Sequence, residues 1–236
     1  MASRIPTWFA HACALMLAGL LLAGCGSKEP EERAAFIQFL QTRVIDRPGV
    51  RVPQPTEEQK KPFGAYAQHY AVITDFNAAM NQTAQQMDGI VAKGSLRSLS
   101  DVVARRDDLR SVREGVQQMR RALDENLARA DAARAQLQQP EDLKAVFDKA
   151  YDKTVTTPAG IFRDVFPALD AVFDGAIRIG DYVDAHKSQI QISGSTFTVS
   201  DPKVLNELNG MLQQLNSHSA AIQTAQRRMR TAVAGG

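Results

Sequence analysis

Three stretches of this chain place apolar residues at alternating steps of three and four, and that spacing leaves little choice of fold. The first runs Phe63, Tyr66, Tyr70, Ile73, Asn77, Met80, Ala84, Met87, Val91. The second runs Leu109, Val112, Val116, Met119, Leu123, Asn126, Ala130, Ala133, Leu137. The third runs Leu205, Leu208, Leu212, Leu215, Ser219, Ile222, Gln226, Met229, Val233. On a helix of 3.6 residues per turn such steps return to one face, so each stretch carries a stripe that must be covered by another element. The first two helices would be roughly 45–60 Å long at 1.5 Å per residue. Gly94-Ser95 separates them, and so short a connection predicts an antiparallel hairpin. Folding that pair about residue 96 sets Asn126 opposite Tyr66 and predicts a hydrogen bond between them. The expected fold class is therefore all-α, an elongated multi-helix bundle with long antiparallel helices. Asn77, Ser219 and Gln226 interrupt the stripes with polarity; they mark a groove or partner surface, or they fix helix register at some cost in stability.

Shorter signals fill in the rest. Pro30 suits a first helical position and Glu31 and Glu32 suit a first turn, ahead of Phe36, Ile37, Leu40 and Val44 on one face. Pro48-Gly49 stops that helix, and Pro53 and Pro55 keep the next segment extended. Thr56 and Gln59 have capping-box spacing, with a kink expected at Pro62. Pro140, Glu141 and Asp142 open a helix carrying Leu143, Val146, Phe147, Ala150 and Tyr151, and the run Thr154 to Pro158 is expected to end it. A further helix is expected from Pro158 to about Ala185, with Phe162, Val165, Leu169, Val172, Phe173 and Val183 inward and a kink at Pro167. Gln189–Ile192 and Thr196–Val199 alternate with period two around Ser193-Gly194-Ser195, the one β-hairpin in the reading. A lone hairpin is marginal in water, so it should lean on the bundle. Ser200-Asp201-Pro202 then caps the last helix.

The N-terminus carries a different kind of information. Arg4 precedes an apolar run from Trp8 to Ala23, which is short of the roughly 20 residues a permanent membrane span needs. It fits the apolar region of a secretory signal. The run ends Leu22-Ala23-Gly24-Cys25, small residues leading straight into a cysteine, as a lipoprotein signal peptidase requires. Cys25 is thus the expected lipid attachment site, its thiol carrying a diacylglycerol and its freed amine a third chain such as palmitate. One C14 chain binds a bilayer only marginally, at about 0.8 kcal/mol per buried CH2, so several chains on one residue make a durable anchor. The expected organisation is 1–24 signal peptide, 25–29 lipidated tether and 30–236 a single helical bundle domain. The other cysteine, Cys13, and the one tryptophan, Trp8, lie in the leader. The mature chain then has no disulfide available and should show tyrosine but no tryptophan emission.

Charge narrows the partners. The 28 Lys and Arg nearly balance the 26 Asp and Glu, and removing Arg4 with the leader brings the balance closer still. A near-neutral chain lacks the footprint of a nucleic-acid binder. Arg227-Arg228-Met229-Arg230 reads as cations near a helix C-terminus. Arg105-Arg106 and Arg120-Arg121 sit among Asp107, Asp108, Asp124 and Glu125 and read as a solvated face.

Several runs together are familiar: the signal, Arg33 to Gln41, Glu58 to Gly64, Ala130 to Ala133, and Gln139-Pro140 on through Leu143 to Tyr151 with Pro158-Ala159. With these the chain resembles the YiaF-like family of proteobacterial lipoproteins over nearly its whole length, most specifically around residues 130–159. The resemblance implies a lipid-anchored envelope protein and supplies no catalytic residues. By analogy with lipoproteins of this type, Gly26 where an Asp would favour inner-membrane retention favours the outer membrane.

The chemistry-bearing candidates are few. His69, His186 and His218 have no mutual spacing that puts two ligands on one helical face, and read as ordinary boundary histidines rather than metal ligands. Asp148 and Asp152 share a face beside Lys149 and Lys153, which reads as a salt-bridged surface. No serine lies in a Gly-x-Ser-x-Gly elbow, and Gly175 and Gly180 form no phosphate loop. The aromatics Phe63, Tyr66, Tyr70, Phe76 and Phe162, Phe166, Phe173 fit core packing more simply than a ligand groove. The expectation is a non-enzymatic, periplasm-facing protein without cofactor or metal, held by acyl chains on Cys25 and acting by protein–protein interaction or scaffolding with an unknown envelope protein partner. The alternative is a binding module for an apolar ligand or lipid held between helices.

Overall fold

The computed structural model describes residues 28–94, 98–193 and 196–234. Cys25, the Gly94-Ser95 connection and the Gly194-Ser195 turn therefore lie, wholly or in part, outside the described residues. The expected class holds: long helices with one small two-stranded sheet before the last of them.

Helix α1 (Glu29–Phe39) starts with Pro30 in its first turn and runs on as a wider π-helical turn, Leu40–Ile45. Phe36, Leu40 and Val44 are its buried face. The chain then turns at Gly49, whose φ is 69°. Thr56 caps α2 (Glu57–Lys60) in a reciprocal capping box with Gln59, as its spacing predicts. A 3-10 segment, Lys61–Tyr66, follows with Pro62 in its first turn, and the bend falls at Gly64. Beyond it α3 runs Ala67–Gly94.

The second long helix differs from its expected form. Ser98 caps a short α4 (Leu99–Ala104), the backbone leaves helical geometry at Arg105, and α5 (Arg106–Ala135) begins there. Residues up to 105 are thus spent on a separate turn of helix, and the α3–α5 hairpin pivots several residues later than residue 96. His69 on α3 meets Gln139, while Phe76 and Ala79 sit with Asn126. The predicted stripe of α5 is otherwise the buried one, from Leu109 through Val112, Val116, Met119 and Leu123 to Asn126 and Ala130. On α3 the buried line after Ile73 is Phe76 and Thr83, with Met80 half-buried, so it leaves the expected Asn77.

Helix α6 (Glu141–Tyr151) does not end at the Thr-rich run. It continues through a π-helical turn, Asp152–Thr156, into α7 (Thr157–Ala185) with Thr156 still helical at φ −63°, ψ −50°. Thr154 is buried and donates its hydroxyl to the Ala150 carbonyl at 2.7 Å, so a poor helix former is held in place by its own back-bond. Helix α7 also continues through Pro167. Its small residues Gly175 and Gly180 are buried, and a Cβ at either would stand in ordinary contact, 3.4 Å from Leu215 and from Arg106 respectively.

Strands β1 (Ile190–Ser193) and β2 (Thr196–Val199) pair antiparallel, Ile190 opposite Val199 and Ile192 opposite Phe197. Those four side chains form the inward face and pack on the core, as a hairpin this short requires. Helix α8 (Pro202–Ala234) opens with Asp201 accepting from the Lys203 N–H at 2.8 Å and returns antiparallel along α7. Tyr182 reaches Glu207, and Leu215 lies against Gly175. Layered in order, α3, α5, α7 and α8 form the long part of the bundle.

Candidate functional site

Cys25 lies outside the described residues, and most of the other expected candidates belong to the framework. The aromatics Phe63, Tyr66, Tyr70, Phe76, Phe166 and Phe173 are buried in the core, Phe76 at the edge of the cleft described below. Phe36 and Phe39 complete the first cluster, with Phe39 edge-on to Tyr70 at 5.1 Å and 5.0 Å from Phe63. Tyr66 does not pair with Asn126. Its hydroxyl donates to Glu29 at 2.5 Å, and Asn126 accepts instead from the Arg129 guanidinium on its own helix. The displaced hairpin pivot is the reason. Burial, reinforced by the Glu29 carboxylate, pushes the Tyr66 hydroxyl up to about 12.

The histidines stay apart. His69 lies edge-on to Tyr66 with its Nδ1 3.1 Å from the Gln139 amide; His186 stacks on Tyr182; His218 lines a small cleft of about 110 Å³ with Gly175, Met211 and Leu215. Burial lowers the pKa of His69 below its ordinary 6.5. Asp148 is salt-bridged as its neighbours suggest, although to Arg134 at 2.8 Å and Lys144 at 2.6 Å rather than to Lys149 or Lys153. Burial works against its charge, but those two cations outweigh it and hold the carboxyl below the usual range. Lys153 instead reaches the carbonyls of Ile45 and Arg47 at the C-terminal end of the α1 segment, where a cation complements the helix dipole. Among the described residues no three His, Cys, Asp or Glu side chains cluster as a metal site, and no helix is long and apolar enough to cross a membrane.

The paired arginines are more than a solvated face. Arg106 reaches Asp181 and Asp184 on α7, Arg113 reaches Asp174, and Arg120 reaches Asp170, while Arg163 on α7 reaches back to Asp124. These pairs run in opposite chain directions and form an ion-pair ladder that fixes the antiparallel register of α5 on α7.

Two regions remain that are not plain framework. One is the start of α1. Only four peptide steps separate Cys25 from Glu29, which spans at most about 14 Å. That helix start is fastened twice, Glu29 to Tyr66 and Arg33 to Asp142 at 3.4 Å. The other is a cleft of about 390 Å³ between α3 and α5. Its walls are Ala71, Val72, Phe76 and Ala79 on one helix and Ala130 and Ala133 on the other, with Asn126 at its floor and Asp75 and Arg129 at the rim. The cavity exists because alanines stand where larger side chains would fill the space between two seams. Sequence reading missed it, although Asn126 on an apolar stripe was the available signal; only the true pivot brings Ala71 and Ala79 to face Ala130.

The chain belongs to the family described as Protein of unknown function (DUF3053), whose pattern it matches over residues 13–230. It is 31% identical over 223 residues to the Escherichia coli K12 protein called Uncharacterized protein YiaF, covering 92% of each chain. The Shigella flexneri protein of the same name is similar to the same extent. No solved structure matches it.

Proposed function

We propose that this member of the family is a lipid-anchored envelope protein, held facing the periplasm by acyl chains on Cys25, that works by contact with an envelope protein partner rather than by catalysis. The observation that carries the reading is Leu22-Ala23-Gly24-Cys25 only four residues ahead of a clamped helix. An anchor there would hold the Glu29 corner against the bilayer, and the four long helices, of 28 to 33 residues, would project a surface roughly 40–50 Å long. The separated histidines and the ion-paired acids support a non-enzymatic body. Gly26 favours the outer membrane as the site of retention. Crosslinking in intact cells, with Cys25→Ala as the unanchored control, should recover a specific envelope protein only from the acylated chain. Recovery of nothing above background, or equal recovery from both chains, counts against the reading.

A second reading, a ligand held between helices, is favoured by the cleft of about 390 Å³, a volume within the usual range of small-molecule sites.

A further inference from the structure

We infer that the α3–α5 cleft binds a zwitterion in which an ammonium and a phosphate diester flank a short carbon chain, the chemistry of an ethanolamine head, whether on a phospholipid or free. This deepens the ligand-binding reading by naming the class of ligand.

The floor of the cleft gives the first reason. Asn126 is 8% exposed and its carbonyl accepts from Arg129, but its amide N–H groups have no protein partner among the described residues. The Asn126 side chain lines the cleft, so these donors are open to a ligand that enters it. The rim gives the second. Arg129 makes that single hydrogen bond, and Asp75 on the opposite helix makes no ion pair or hydrogen bond among the described residues. Elsewhere on this bundle facing Arg and Asp side chains are paired across helices. Here one unpaired charge of each sign stands on opposite walls of the same cleft.

Those charges select the ligand. A simple anion would face Asp75 and a simple cation would face Arg129. A neutral apolar ligand would desolvate both rim charges and leave the Asn126 donors unmet. A ligand bearing both signs satisfies all three groups. The donors for its anion come from two side chains, the Asn126 amide and the Arg129 guanidinium, rather than from one planar guanidinium edge. That arrangement surrounds a tetrahedral oxyanion better than it matches a flat carboxylate. Val72, Phe76 and the alanines take the carbon chain.

The test uses the full chain in dodecyl maltoside, titrated by calorimetry and followed by the Asn126 side-chain amide signal. Glycerophosphoethanolamine and dihexanoylphosphoethanolamine should both bind saturably and shift that signal. A tighter diacyl form assigns a membrane source, and equal binding assigns the free head. Asp75→Asn and Arg129→Gln should each weaken binding by about tenfold, the worth of one charge-assisted contact. Both positions are exposed, so unchanged helical circular dichroism should accompany the loss. Glycerophosphoglycerol, which lacks the amine, should bind more weakly and be indifferent to Asp75→Asn. The inference is overturned if neither diester binds saturably, if both substitutions leave binding unmoved, or if leucine binds as tightly as the diester. Saturable binding of octanol alone would also overturn it, while leaving the cleft a ligand site of another class.

Discussion

Gly64 carries the most demanding backbone geometry, at φ 52° and ψ −131° between the 3-10 segment and α3, with the Glu32 carboxylate 1.9 Å from where a Cβ would stand. That region of backbone space is nearly closed to other residues. Gly64→Ala should cost about 1–3 kcal/mol in chemical denaturation, and an unchanged midpoint would mean the bend is not as described. Arg134 does two things at once, lying 4.6 Å over the Tyr151 ring and bonding Asp148. Lysine keeps the charge but loses the planar stack and fork, so Arg134→Lys should destabilise by about 1 kcal/mol. His69 makes stability depend on pH. Because burial holds its imidazole neutral in the folded state, the unfolded chain takes up the proton first as pH falls through about 6.5. Stability from this group is present above that pH and is lost below it. Denaturation midpoints at pH 7.5 and 5.5 should differ for the native chain and differ less for His69→Gln; equal differences would remove His69 as the cause. Asp148, with its pKa held down, is charged in both states across that window, so its stabilisation is fully present there and is lost only as pH falls below the ordinary carboxylate range.

At the scale of elements, apolar burial outweighs the ion pairs. Leu208 of α8 is fully buried, and Leu208→Ala should cost about 2–5 kcal/mol. The ladder between α5 and α7 is half-exposed, so Arg113→Gln should cost less than about 1 kcal/mol. Comparable losses in thermal denaturation would show that the ladder carries more than register. Helix periodicity made the seams, the capping box at Thr56 and the hairpin legible, because each depends on neighbours a few residues away. What sequence hid was non-local or cooperative. The short α4 consumes the connection and moves the pivot, so Asn126 faces Phe76 rather than Tyr66, and the alanine-walled cleft follows from that shift. The Thr154 to Pro158 run reads as a breaker by propensity, yet Thr154 and Val155 are buried within a continuous π-helical turn. Tertiary packing there overrides a local preference worth less than the burial it secures. The Arg–Asp ladder was invisible for the same reason, since its partners lie 39 or more residues apart and become neighbours only when α7 folds back on α5.

For the whole molecule, sequence and architecture meet at one corner. Under the proposed role Cys25 would be acylated four residues before a helix start that is pinned to the 3-10 segment and to α6, so a pull on that anchor would reach the body through this helix. The family shared with the Escherichia coli and Shigella flexneri relatives extends over almost the entire chain. The proposed envelope role depends on acyl chains being joined to Cys25. Intact-mass analysis of the N-terminal proteolytic fragment, from protein purified out of cell envelopes, tests this most directly. A fragment beginning at Cys25 with the added mass of a diacylglycerol and an amide-linked acyl chain is the predicted result. A fragment that still contains residues before 25, or one with a free thiol at Cys25, would contradict the account.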